Sequence, residues 1–376
     1  MSTTTAAGTA GDLPAWATTL LLPVLNVAVA LLVSALVILA IGEDPLAALS
    51  VMLKGAFGSS YGIGYTLYYA TGLIFTGLCV AVAFHAGLFN IGGEGQAYIG
   101  ALGVGLACLW LGGWPWYLAL PVTMLAGMGF GALWAFLPGV LQAYRGSHIV
   151  ITTIMFNFIA SALMVYLLVN VLIEPGQMSP QSREFDASVF LPQMDDMLAG
   201  IGVTVEETPL NLSFLVALLA CALVWVFIWQ TRAGFSLRAV GANEDAARYA
   251  GIDPRKVIVV AMLLSGALAG LFGINEVQGV QHRLMLNMTA GLGFTGIAVA
   301  LMGRAHPAGI IPAAILFGAL YQGGAELAFE YPSISPKLVI VIQGVVILFA
   351  GALEHMFRPA LAQLIRPVGR TRRGEA

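Results

Sequence analysis

The sequence predicts an all-α integral membrane protein with about ten transmembrane helices. Three observations carry this: 59% of its 376 residues are apolar and only 9% charged, the apolar tracts run long without a charge, and the basic residues fall mostly on one side of those tracts. Soluble chains carry about 25% charged residues. At little more than a third of that, water cannot be the main solvent, so the exterior must face lipid.

Spanning a hydrocarbon core about 30 Å thick takes roughly 20 apolar residues. Cutting the tracts at glycine, proline and polar clusters places spans at 17–41, 66–86, 94–111, 116–143, 148–172, 210–230, 254–279, 290–303, 308–325 and 337–353. No Lys or Arg precedes Lys54, so the first tract lacks the basic region of a secretory signal and reads as a retained span after a short tail, 1–16. Ten alternating spans put Lys54, Arg183, Arg283 and Lys337 on one side and the other twelve of the 16 basic residues on the opposite side. By the positive-inside rule both termini, including the basic tail 354–376, are then cytoplasmic.

Two hydrophilic excursions interrupt the pattern. The segment 173–209 holds Glu174, Glu184, Asp186, Asp195, Asp196, Glu206 and Glu207 against Arg183 alone, and is expected outside as an acidic loop, a solvated connector or a docking surface. The segment 231–253 is expected in the cytoplasm with a short helix of its own. Asn243 caps it, Glu244 and Asp245 complement its dipole, Gly251 closes it, and Asp253-Pro254 starts the next span.

Asn90-Ile91-Gly92-Gly93-Glu94-Gly95 precedes the third span, and Asn287-Met288-Thr289-Ala290-Gly291-Leu292-Gly293 precedes the eighth. An offset of five spans reverses direction, so spans 2–5 and 7–10 would form an inverted repeat; the alternative is tight packing by small residues. In the first of these segments the glycines let the backbone bend at membrane depth, and Asn, Glu and Gln satisfy the amides so exposed.

Other chemistries find no support. There is no phosphate-binding loop and no zinc-protease motif. Cys79, Cys108 and Cys221 stand far apart and read as small core residues. A net charge of −3 with no basic block before the C-terminus argues against nucleic acid as a partner. The five histidines fall near span ends and receive no role.

The stretch GLFNIGGEGQAYIG, 87–100, resembles the hallmark of permease subunits of ATP-binding-cassette importers for branched-chain amino acids, simple sugars and nucleosides, and its wording is most similar to the nucleoside type. Arg238-Ala239-Val240-Gly241-Ala242-Asn243, with Asp245-Ala246-Ala247-Arg248-Tyr249-Ala250-Gly251, resembles the coupling segment of the same group, with Asp245 where Glu is usual. Gly293 to Gly303 is a third similar stretch.

This resemblance implies a transport subunit that catalyses no covalent change and holds no cofactor or metal, with ATP bound on a separate ATPase. It also implies a second, paralogous permease, an extracytoplasmic solute-binding protein and residence in a bacterial inner membrane. The solute is expected to be a nucleoside, with simple sugars next and branched-chain amino acids third. The ATPase would engage Arg238, Gly241, Asn243, Asp245, Ala246, Ala247, Arg248 and Gly251. Candidates for the solute pathway are Phe89, Asn90, Glu94, Gln96, Asn157, Glu276 and Gln278, with the aromatic faces of Tyr98 and Phe156 nearby. Helix capping by Glu94 and interhelical bonding by Asn157 are equally good readings of those two. The competing class is a stand-alone secondary transporter or channel, for which Glu94 and Glu276 are the intramembrane carboxylates available; a membrane enzyme comes third.

Overall fold

A computed structural model describes residues 21–200, 202–331, 333–334, 339–341 and 344–345. Those residues are helical or loop, with three isolated bridge pairs and no sheet among them. The chain divides into two compact units, Met1–Leu49 with Pro332–Ala376, and Ser50–Tyr331. In the first unit lies α1 (Leu22–Ile41), and α2 (Pro45–Phe57) leads into the second. The terminal tails and most of the tenth expected span lie outside the described residues; the described part of that span, 339–341 and 344–345, is helical.

The second unit holds α3 (Ser60–His85), α4 (Gly93–Trp110), α5 (Trp116–Arg145), α6 (Ile149–Asn170), α7 (Met194–Ala199), α8 (Ser213–Gln230), α9 (Arg232–Ala242), α10 (Glu244–Tyr249), α11 (Pro254–Gly270), α12 (Leu292–Met302) and α13 (Pro307–Glu330). A widened π-helical segment, Ile274–Gln281, continues α11. Among the described residues six helices are long and apolar enough to cross a membrane: α3, α5, α6, α8, α11 with its extension, and α13. A bent pair, Leu32–Ala40 with Pro45–Phe57, makes seven if it crosses as one.

Three expectations need correction. The eighth span is an 11-residue helix, α12, about 16 Å long, which reaches only half-way across a bilayer. The span was expected over 290–303; the helix covers Leu292–Met302, and the residues before it, 282–291, are non-helical. Residues 45–57 are helical although no element was expected there. The segment 231–253 forms two helices, because Thr231 caps α9 through Gly234 N–H and Asn243 caps α10 through Ala246 N–H.

Small residues decide how the helices cross. Gly127 and Gly131 of α5 meet Gly266 and Gly270 of α11, and Gly100 of α4 meets Gly270 from another side. A Cβ added at Gly100, Gly131 or Gly270 would overlap the facing backbone. Lipid supplies no hydrophobic drive between helices, so backbone-to-backbone packing of this kind is what holds them. Around this crossing α3 is the central helix, with 78% of its most apolar stretch buried.

Contacts sort into two ends. At one, His85 of α3, Gly241 of α9, Tyr144 of α5, Arg255 of α11 and Ala305 come together: His85 Nε2 lies 3.0 Å from Ala305 O, and the Arg255 guanidinium sits 5.7 Å from the Tyr144 ring centroid. At the other, Ser60 bonds Glu206, Arg183 bonds Leu109 O and Arg283 pairs with Glu184 at 3.1 Å. The acidic segment 173–209 is folded down at this second end: Phe185, Val189 and Leu191 are buried, Phe185 N–H donates to His282 O, and Phe190 stacks on His282.

Candidate functional site

The helix α3 stops at His85, and the chain stays non-helical until Gly93. Amides freed within the membrane must find partners inside the protein. Asn90, with 0% exposure, accepts from Gly92 N–H through Oδ1, and its Nδ2 donates to Gln96 Oε1 and Ser265 Oγ, each at 2.9 Å. Ser265 in turn donates to Cys79 O at 2.7 Å. Asn157 of α6 accepts from Gly95 N–H at 2.9 Å and donates to Ile91 O at 3.0 Å. Asn90, Gln96 and Asn157 are thus engaged in holding the broken backbone, and Phe89 beside them is half-buried.

Glu94 opens a different contact. Its Oε1 accepts from Thr289 Oγ1 at 2.6 Å and Gly291 N–H at 3.0 Å, and its Oε2 accepts from Gly293 N–H at 2.8 Å. The start of α4 therefore meets the start of α12 head to head, with one carboxylate serving both N-termini. Each helix start carries unsatisfied N–H groups and a partial positive charge, so an anion between them stabilises both. Thr289, Gly291 and Gly293 belong to the second of the paired segments, so the two motifs meet in space.

Glu276 and Gln278 form a third group in the π-helical segment. Tyr68 Oη donates to Glu276 Oε2 at 2.5 Å, and Gln281 Nε2 donates to Oε1 at 3.0 Å. Gln278 accepts from Thr123 Oγ1 at 2.7 Å and donates to Val189 O at 2.9 Å, tying α5 and the folded-down segment to α11. The seven pathway candidates accordingly fall into three groups. Tyr68, Ser265 and Thr289 complete these networks and carry no signal in the sequence, because each partner lies far along the chain.

At the His85 end, α9 and α10 form the segment expected to meet an ATPase. Gly241 packs against the turn that ends α3: a Cβ there would overlap His85 O and approach Gly87 N within 2.8 Å. Arg238 is half-buried, with its Nε enclosed and unpartnered. Ala247 is buried, so it supports α10 from within, while Asp245, Ala246, Arg248 and Gly251 are exposed. Arg248 pairs with Glu244 at 2.7 Å and reaches Asp245 at 3.9 Å. Tyr249 stands 95% exposed, an outward aromatic that the sequence reading did not single out.

The sequence profile of the family described as branched-chain amino acid transport system / permease component matches residues 62–351, a range that contains both paired motifs and the α9–α10 segment. The chain belongs to this family. The permease is 37% identical over 339 residues to a guanosine ABC transporter permease protein of Bacillus subtilis, covering 89% of this chain and 93% of that one. It is 37% identical over 345 residues to a glucose ABC transporter permease protein of Haloferax volcanii, covering 89% and 88%. A nucleoside ABC transporter permease protein of Lactococcus lactis is 33% identical over 335 residues, 88% of the permease and 90% of that chain.

Proposed function

We propose that this permease carries nucleosides inward across a bacterial plasma membrane as one subunit of an ATP-driven importer. Its similarity along nearly the whole chain to a guanosine permease and a nucleoside permease is the observation that carries the reading. The glucose permease of equal identity supports a second reading, a sugar as solute.

In this reading ten spans cross the membrane, counting α4, α12 and the span at 337–353 with the long helices, and spans 2–5 and 7–10 form an inverted repeat. The meeting of the two paired motifs at Glu94 supports that symmetry. Both termini and the His85 end face the cytoplasm, in keeping with the twelve basic residues assigned to that side. A separate ATPase binds ATP and docks on α9 and α10 through Asp245, Tyr249 and the exposed alanines. Gly241 then presses its motion onto the turn before the 86–92 break. Arg238, Asn243, Ala247 and Gly251 shape that segment. A paralogous permease completes the pathway, and a solute-binding protein delivers from the opposite face.

Uptake into proteoliposomes holding the permease with its genomic neighbours, driven by ATP, distinguishes the readings. Guanosine uptake in preference to glucose and leucine is expected; glucose uptake alone establishes the sugar reading, and ATP-independent uptake by the isolated chain overturns the importer.

A further inference from the structure

Tyr61, Tyr65 and Tyr69 recur every four residues on α3, so they share one face of the helix. Their rings follow one another with centroids 4.6 Å apart from Tyr61 to Tyr65 and 6.5 Å from Tyr65 to Tyr69. From Tyr69 the series passes to Tyr321 of α13, stacked at 5.5 Å and 27°. Tyr321 Oη then lies 3.1 Å from Thr295 Oγ1, in the first turn of α12, one turn beyond the Glu94 junction. None of Tyr65, Tyr69, Tyr321 and Thr295 is buried.

The series starts at the Glu206 end of the molecule and runs about 12 Å inward along α3. It stops where the half-length helix α12 begins. A row of half-exposed rings, polar at their tips, running inward from one face is poorly suited to an interfacial belt, whose rings stay at headgroup level. Rings of this kind stack on any planar base, and stacking tolerates sliding from one ring to the next.

We propose that Tyr61, Tyr65, Tyr69 and Tyr321 form a stacking ladder for the planar base of the solute, leading it from the outer face to Thr295 at the α4–α12 junction. The ladder rests on the nucleoside reading, and it makes the base the group that the permease itself recognises. A sugar without a base gains nothing from it. Glu94 acts as a positioning residue, since it fixes the chain that places Thr295.

The test uses the assembled importer, with guanosine and ribose as probes. Thr295→Cys gives a labelling site, the three native cysteines being buried. Maleimide labelling of that variant is expected to be slowed by guanosine and unaffected by ribose. Tyr69→Leu and Tyr321→Leu are expected to lower guanosine uptake roughly tenfold, the worth of one lost stacking contact, while Tyr69→Phe and Tyr321→Phe retain it and ATPase co-purification is unchanged. Guanosine uptake by the leucine variants at the wild-type rate, or labelling that guanosine does not slow, overturns the ladder. Should the leucine variants fail to reach the membrane, the labelling result decides alone. Absence of guanosine uptake by the wild-type importer defeats the nucleoside reading instead, a result separate from either outcome for the ladder.

Discussion

Oε2 of Glu94 accepts a hydrogen bond from the backbone N–H of Gly293 at 2.8 Å, joining the N-termini of two helices that lie 199 residues apart in sequence. The same carboxylate also takes Thr289 and Gly291, so a single side chain holds the short helix α12 in register with α4. Thr295 stands in the first turn of the helix that this contact joins to α4.

Replacing Glu94 with Ala leaves two backbone donors and one hydroxyl without their partner and removes the charge between two helix dipoles. A loss of roughly 2 kcal/mol or more is expected, read as a fall in the detergent thermal midpoint. Gly293→Val is expected to be worse, because a Cβ there would overlap the Glu94 backbone. A Glu94→Ala protein as stable as wild type would show the junction to be incidental.

The crossing of α5 and α11 offers a test with an internal control. A Cβ at Gly131 or Gly270 overlaps the opposite backbone, whereas one at Gly129, on the same helix as Gly131, meets nothing within 4 Å. Gly131→Leu should therefore force the helices apart, costing about 1–3 kcal/mol or more, and depress the yield of monodisperse protein. Gly129→Leu should be recovered normally.

Asn90→Leu removes both the acceptor for Gly92 N–H and the donor to Gln96 and Ser265 at a site fully shielded from solvent. Buried groups left unpaired cost about 1–3 kcal/mol each. A thermal midpoint lowered to match is expected, together with faster hydrogen exchange of the 86–92 amides; unchanged exchange would mean that the break is held by other contacts.

The α9–α10 surface is tested by Tyr249→Asp. Tyr249 is 95% exposed, so stability should hold while capture of the ATPase from detergent extract fails. Gly251→Trp should act on the same readout with membrane insertion intact, adding strain because Gly251 has a φ of +81°. Normal capture by both variants would move the docking surface elsewhere.

The folded-down segment 173–209 should respond to pH through His282, which stacks on Phe190 at 3.5 Å. Burial holds this imidazole below its ordinary 6.5; the nearby Glu184 carboxylate opposes the effect and Arg283 reinforces it. Above 6.5 the ring is neutral whether packed or released and carries no penalty. As pH falls through that value His282 uncovered by release of the segment takes up the proton first, so packing weakens. Proteolytic nicking of 173–209 should therefore rise on mild acidification and lose that dependence in His282→Phe. A pH-independent rate in the wild type would exclude the linkage.

Some of these features are written locally. The apolar tracts give most helices, because one face or all faces of a span must satisfy lipid over a fixed thickness. Asn243 and the Asp253-Pro254 pair mark helix starts because capping needs only neighbours two or three residues away. By contrast, the hydrogen bond from Asn90 to Ser265, 175 residues further on, has no trace in any local pattern. Tyr321 could not be joined to the α3 tyrosines from sequence, since it lies on another helix.

By itself the sequence determined the solvent, the family and most of the helices, since hydropathy, short motifs and caps are properties of neighbouring residues. Only the tertiary structure decided that α12 stops half-way, that Glu94 serves two helix starts, and which polar side chains are already satisfied. Hydrogen bonds between residues more than 200 positions apart, such as Tyr68 to Glu276, depend on how glycines let helix backbones approach, and no local pattern records that.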